Sequence, residues 1–158
     1  LGHRQIGLIS GPEENSECEL RLSACRDWFK AQGLVEPLIQ AGDFSAESGR
    51  QAAATLLQQH PEITALFCFN DHMAIGALHH AQHIGMQVPE QLSIVGFDNN
   101  ELAVYSDPAL TTVAQPLEQL GERALHLAQQ LIAGEAHEPQ ALLLPELVVR
   151  QSTASPRP

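Results

Sequence analysis

The chain has 158 residues, 44% of them apolar and 17% charged, which suits one domain with a buried core and excludes a disordered tail. With 8 Lys and Arg against 19 Asp and Glu, the formal net charge is -11, which excludes nucleic-acid binding through the chain's own field. No apolar run reaches membrane-spanning length, and three cysteines without a CxxC pair (Cys18, Cys25, Cys68) point to reduced thiols in a cytoplasmic setting.

The chain opens on Leu1 with neither a basic start nor a signal-like stretch, and reads as a length cut from something longer. Residues 5–10 are a short apolar run closed by Gly11-Pro12, a strand and its turn. Across residues 16–32, Leu20, Ala24, Trp28 and Ala31 recur at helical spacing with Leu22, Cys25 and Phe29 beside them. Gly33 stands where a helix stops. Residues 38–41 predict a second strand, ended by Gly42-Asp43. Ser45 then caps a helix to about residue 59, stopped before Pro61. Residues 65–69 (ALFCF) are wholly apolar, the pattern of a strand buried on both faces of a parallel sheet. Asn70 or Asp71 can cap the next helix, which ends near Gly85. Residues 92–97 (LSIVGF) predict another strand, followed by Asp98-Asn99-Asn100, and residues 111–114 a further one. Pro116 at a first helical position and Gly134 past the last turn bracket a helix striped with Leu117, Leu120, Ala124, Leu127 and Leu131. Residues 142–144 and 147–149 predict closing strands, and the tail from Ser152 is expected to fray. The alternation predicts an α/β fold, a doubly wound parallel sheet with helices on both faces.

In such a sheet, ligands bind outside the carboxyl ends of the strands. There the sequence places Ser10-Gly11, Asp43-Phe44, Asn70-Asp71, Asp98-Asn99-Asn100 and Gln115. Carboxylates and amides beside one aromatic ring suit a polyhydroxylated ligand, whose hydroxyls the acceptors hold while the ring covers an apolar face. Any single Asn or Asp after a strand is more often a cap or turn former. Several on one edge argue for a site. GxGxxG, GxxxxGK[ST], GxSxG and HExxH are all missing from the sequence, so dinucleotide, nucleotide-hydrolase, esterase and metalloprotease chemistry lack support. His79 and His83, four apart with His80 between them and His72 upstream, are read as a solvated or interface face rather than as metal ligands. Cys18 and Cys25 share a helix face as small apolar fillers.

The ordered segments LGHRQIGLISGP, ELRLSACRDWF, GDFSAESG, ALFCFNDHMAIGAL, VPEQLSIVGFDNNELA, DPALTTVAQPLEQLGERA and LPELVVRQST resemble the LacI/GalR family of bacterial transcription regulators over residues 1–153. The set FNDxMAIGA, SIVGFDN and LTTVxQPxxxLG is its most specific part. The resemblance implies the carboxyl-terminal part of an effector-binding domain like periplasmic sugar-binding proteins. Residues 1–112 would form its second lobe. Residues 113–140 would be a helix and flanks returning to an absent first lobe, and residues 141–158 the closing strand and tail. Ligand-contacting positions carried over by motif are Arg21 in ELRL, Phe44 in GDF, Asn70 in FND and Asp98 in GFD. Asp71 is expected to cap its helix. Where the family has a Gly-aromatic pair after Arg-Leu, this chain has Ala24-Cys25, which reshapes the packing behind Arg21. The implied partners are a small effector (a sugar, a sugar phosphate or a purine), a second copy in a homodimer, and operator DNA reached only through an absent helix-turn-helix head. The dimer face would hold the helix after FND and residues 105–108. No cofactor, metal, membrane or catalysis is implied. Two other readings are a periplasmic sugar-binding protein of a transporter, and a small enzyme pairing Asp98 with a histidine as acid and base.

Overall fold

A computed structural model describes residues 1–135 and 142–157. In chain order the elements are β1 (Ile6–Ser10), α1 (Ser16–Ala31), β2 (Leu38–Ala41), α2 (Ala46–Gln59), β3 (Ala65–Cys68), α3 (Asp71–His83), β4 (Ser93–Asp98), α4 (Glu101–Tyr105), β5 (Thr111–Ala114), α5 (Leu117–Ala133) and β6 (Glu146–Val148). The strands form one sheet in the order β2-β1-β3-β4-β5-β6. All pairings are parallel except β5 with β6, which is antiparallel. The predicted α/β architecture is therefore present, with an antiparallel edge strand added. From β1 the chain steps to β2 on one side, then crosses back through β3, β4 and β5. Right-handed crossovers put α1 on one face and α2 and α3 on the other. Ligand-facing loops consequently gather where the direction reverses, between β1 and β3.

The core sits between the sheet and the α2–α3 layer, around Ile9, Leu56, Leu66, Phe69, Met73, Ala77, Leu92, Ile94 and Leu110, all buried. Two glycines set the spacing of that layer. A Cβ at Gly76 would fall on the Ala46 carbonyl oxygen, and one at Gly49 on the Met73 backbone, so the two helices touch backbone to backbone.

Several expectations need correction. Residues 142–144 form no strand, and the closing strand is Glu146–Val148. The short helix α4 was not predicted, since five residues are too few to show a period. Pro116 is the cap residue rather than the first helical one. Asn70, not Asp71, caps α3: its Oδ1 accepts from Met73 N–H at 2.8 Å. The tail does not fray at Ser152, which is fully buried. Ile94 N–H donates to the Ser152 carbonyl at 2.8 Å, and Ser152 Oγ donates back to the Ile94 carbonyl at 2.6 Å. Thr111 N–H reaches the same hydroxyl at 2.8 Å. The tail thus fills the gap beside Ile94 that β5, which pairs with β4 only from Val95 onward, leaves open. Strand β5 itself continues past residue 112, its Val113 and Ala114 pairing with Phe97 and Asp98. Helix α5 has no buried residue along its length.

Candidate ligand-binding site

Each strand of the parallel sheet hands over to a helix at the same edge, and the handover residues build the site. After β1, Asn15 caps α1 by accepting from Cys18 N–H at 3.0 Å. One turn on, α1 carries Arg21 over the sheet. Its guanidinium donates to the Phe69 carbonyl at 2.8 Å and lies 3.8 Å from the centroid of the Phe97 ring, with the Phe69 ring at 5.2 Å. A delocalised cation stacked on two aromatic faces is held in position, which a lysine ammonium could not reproduce.

After β2, Phe44 adopts φ 71°, a left-handed conformation rare for an aromatic residue. Two contacts hold it there. Asn70 Nδ2 donates to the Phe44 carbonyl at 2.9 Å, and its ring lies where a Cβ on Gly11 would otherwise stand. The preceding Asp43 accepts from Ser45 N–H at 2.9 Å, and hydrogen bonds from Ser45 and Ser48 hold its carboxyl down at about 2. The loop is therefore anionic at neutral pH.

After β4, Asp98 and Asn99 are also left-handed, at φ 110° and φ 58°. Two consecutive non-glycine residues in that region cost about 1–3 kcal/mol each and need support from their surroundings. Asp71 supplies part of it. Its carboxylate is fully buried and accepts from Thr112 Oγ1 at 2.5 Å and Asn100 N–H at 2.8 Å. Desolvation pushes the Asp71 carboxyl up, and neighbouring Asp98 adds to it. The bonds from Thr112 and Asn100, and then Arg150, act the other way. Arg150, just past β6, holds the corner from the opposite side, donating to Asn99 Oδ1 at 2.6 Å and to the Leu110 carbonyl at 2.7 Å. Asp98 Oδ1 in turn accepts from Gln115 Nε2 at 2.8 Å.

Arg21, Phe44, Asn70 and Asp98, singled out from four separate segments, all line one cleft of about 200 Å³. Asn15, Glu17, Cys18, Phe69 and Gln115 complete its wall. Two of the four, Phe44 and Asp98, carry backbone strain, which concentrates at ligand sites because only an over-determined surrounding retains it. A larger concavity of about 560 Å³ runs beside α1 between Ser10, Pro12, Leu22 and Arg26 and shares Cys18 with the cleft. It contains none of the four residues, and Glu13, Glu19 and Asp27 on its rim face open solvent.

Sequence reasoning missed Asn15 and Glu17, although Asn15 three residues before Cys18 is a readable cap signal. Gln115 was legible as an edge residue but not as a partner of Asp98. Phe97 read as a core strand residue, and nothing in its spacing marks it as the platform for Arg21. Among the described residues, no three His, Cys, Asp or Glu side chains lie close enough to share a metal ion. His72, His79 and His83 stand exposed on α3.

A family model for the periplasmic binding protein-like domain matches residues 1–153. The chain belongs to that family. It is 42% identical over 155 residues to the HTH-type transcriptional repressor CytR of Escherichia coli (strain K12), covering 96% of this chain and 46% of the repressor. Among solved structures, the transcriptional regulator CelR in complex with cellobiose superposes with a TM-score of 0.87 at 36% identity, over 96% of this chain and 47% of that one. The dimeric Lac repressor with an 11-residue carboxyl-terminal deletion superposes with a TM-score of 0.94 at 33% identity, over 99% and 57%. The resemblance to LacI/GalR regulators read from the motifs is thereby borne out, as is the fold. The chain spans about half the length of the relatives it matches.

Proposed function

We propose that this chain is the ligand-sensing part of a LacI-type transcriptional repressor, and that Arg21, Phe44, Asn70 and Asp98 contact its effector. The observation that carries the reading is the convergence of those four side chains on one strained, strand-end cleft. Arg21 offers a planar donor fork, Asp98 accepts from hydroxyls, Asn70 can do both, and Phe44 covers an apolar ring face. Effector binding changes the balance between lobe arrangements, and so the DNA affinity of heads attached elsewhere. In this reading the strands of the sheet belong to the second lobe, and the stretch from Gln115 through α5 reaches into a first lobe. That no residue of α5 is buried supports the assignment.

The protein acts without catalysis, in the cytoplasm where its operator lies, and as a homodimer through α3 and residues 105–108. The exposed Leu102, Val104, Tyr105 and Ile84 near that surface suit such a face. A transporter's binding protein would share the fold, but the similar proteins are named as repressors. An enzyme pairing Asp98 with a histidine is disfavoured because, among the described residues, no histidine lines the cleft.

To test the reading, the complete reading frame is screened by thermal shift against sugars, sugar phosphates and purines. Arg21→Ala and Asp98→Ala are then titrated by calorimetry with the compound that binds. Each loses one partner of a desolvated hydrogen-bond set, about 1–3 kcal/mol or roughly tenfold or more in affinity. Wild-type affinity in both variants removes the site assignment.

A further inference from the structure

We propose that Arg150 is a positioning residue for effector binding: by holding Asn99 in its left-handed conformation, it aims the Asp98 carboxylate into the cleft. The inference rests on the effector reading and deepens it, since Arg150 itself stands outside the cleft wall.

Strand β4 ends at Asp98, which is still in register with Ala114 of β5. Two residues on, Asn100 caps α4, and its N–H donates to Asp71 Oδ2 at 2.8 Å. Asp98 and Asn99 turn the chain between these two fixed points, at φ 110° and φ 58°. Asparagine tolerates the left-handed region because its short side chain can bond the backbone nearby. Here that side chain is engaged elsewhere: its Oδ1 accepts from the Arg150 guanidinium at 2.6 Å. A second hold on Asn99 is longer, its N–H reaching Thr112 Oγ1 at 3.3 Å. Released by Arg150, Asn99 relaxes toward negative φ, and the peptide it shares with Asp98 rotates with it.

Arg150 is anchored for that grip. Its backbone N–H donates to Thr111 Oγ1 at 2.9 Å, and a second guanidinium nitrogen donates to the Leu110 carbonyl at 2.7 Å. A planar fork holds two acceptors at once, which an ammonium on a flexible stem does less firmly. The chain leaves β5 for α5 through Gln115, whose Nε2 donates to Asp98 Oδ1 at 2.8 Å. It returns to the sheet along β6, which pairs with β5 and runs out just before Arg150. Both passages thus close on the same corner, Gln115 on Asp98 and Arg150 on Asn99. A carboxylate fixed in this way has little freedom left to lose when a hydroxyl arrives, and preorganisation of that kind appears directly as affinity.

The test uses the complete protein, with cellobiose, ribose and adenosine as probes in calorimetry. Arg150→Ala and Asn99→Ala are each expected to weaken whichever probe wild type binds by about tenfold, the equivalent of leaving a strained corner unsupported. Glycine takes φ 58° without strain, so adding Asn99→Gly to Arg150→Ala is expected to bring affinity back to within about threefold of wild type. A merely structural Arg150 gives no such recovery, because glycine restores none of its contacts. In crystals of Arg150→Ala, Asn99 should leave the left-handed region and the Asp98 carboxylate should shift. An unmoved corner overturns the inference whether or not a probe binds. Wild-type affinity in Arg150→Ala while Asp98→Ala is weakened overturns it too, and leaves the effector reading standing. So does a double variant as weak as Arg150→Ala. If Arg150→Ala does not fold, Asn99→Ala is compared with Asn99→Gly, and equal affinity in those two overturns the inference. Wild-type affinity in Asp98→Ala as well, or no binding of any probe by wild type, counts against the effector reading and removes the inference with it.

Discussion

Asp71 shows how much a single side chain can do without touching a ligand. It joins the start of α3 to β5 through Thr112 and to the 98–100 corner through Asn100. Replacing it with alanine leaves two donors without their acceptor, at about 1–3 kcal/mol for each one that stays dry. Denaturant unfolding of Asp71→Ala should show a loss in that range, and hydrogen exchange at Asn100 should speed up. A variant as stable as wild type would mean that water replaces the carboxylate as acceptor. The same residue predicts a pH dependence. Its carboxyl is raised above the ordinary value of 3.8, with burial the leading cause. Between that value and the raised one, the native state holds a proton that the unfolded chain has released. The contribution is therefore fully present below 3.8 and is lost as pH rises through the folded-state value. Asp71→Asn cannot ionise and lacks this slope. Unfolding free energies of the two proteins, followed upward from pH 3.5, should diverge against wild type, and a constant difference would contradict the assignment.

At the scale of elements, the α2–α3 contact and α5 behave oppositely. The two packed helices meet through Gly49 and Gly76, leaving no room for a methyl group. Gly76→Ala gains about 1 kcal/mol of helix propensity. Against that, the added Cβ collides with a backbone carbonyl, and overpacking of this kind costs about 1–3 kcal/mol, toward the upper end when backbone must move. A net loss of about 2 kcal/mol in chemical denaturation is expected, and a stabilised variant would show that the helices can separate freely. Helix α5 instead carries Leu117, Leu120, Leu125, Leu131 and Ile132 more than half exposed. A helix with so little burial is marginal in water, and each leucine that finds cover contributes roughly 1.5–3 kcal/mol. The 158-residue chain should therefore self-associate at micromolar concentration in sedimentation equilibrium. A clean monomer would mean that α5 folds back onto its own sheet and that the stretch from Gln115 through α5 does not belong to another lobe.

For the molecule as a whole, the charge of -11 predicts that this chain alone gives no salt-sensitive, sequence-selective retardation of DNA in a gel shift. Selective binding would place a recognition element within these residues. The strands, the long helices and the ligand edge were legible because they depend on neighbours within a few positions: an apolar run, a 3.6-residue stripe, a cap residue, a turn glycine. Phe44, Asn70 and Asp98 fell on that edge for the same reason, Arg21 came only with the family resemblance, and the cleft then gathered all four. Other features depend on contacts that local spacing does not encode. Asp71 looked like a cap until Thr112, 41 positions away, met it in the core. Ser152 looked like part of a loose tail until it bonded Ile94, 58 positions away. Phe97 became the seat of Arg21 only because β4 lies beneath α1. The sequence by itself determined the alternation of elements, the polar edge and the sign of the charge, since these follow from local propensity and composition. Only the tertiary structure decided which carboxylate is buried and which corner is strained. Those properties arise when distant segments compete for the same donors and the same space.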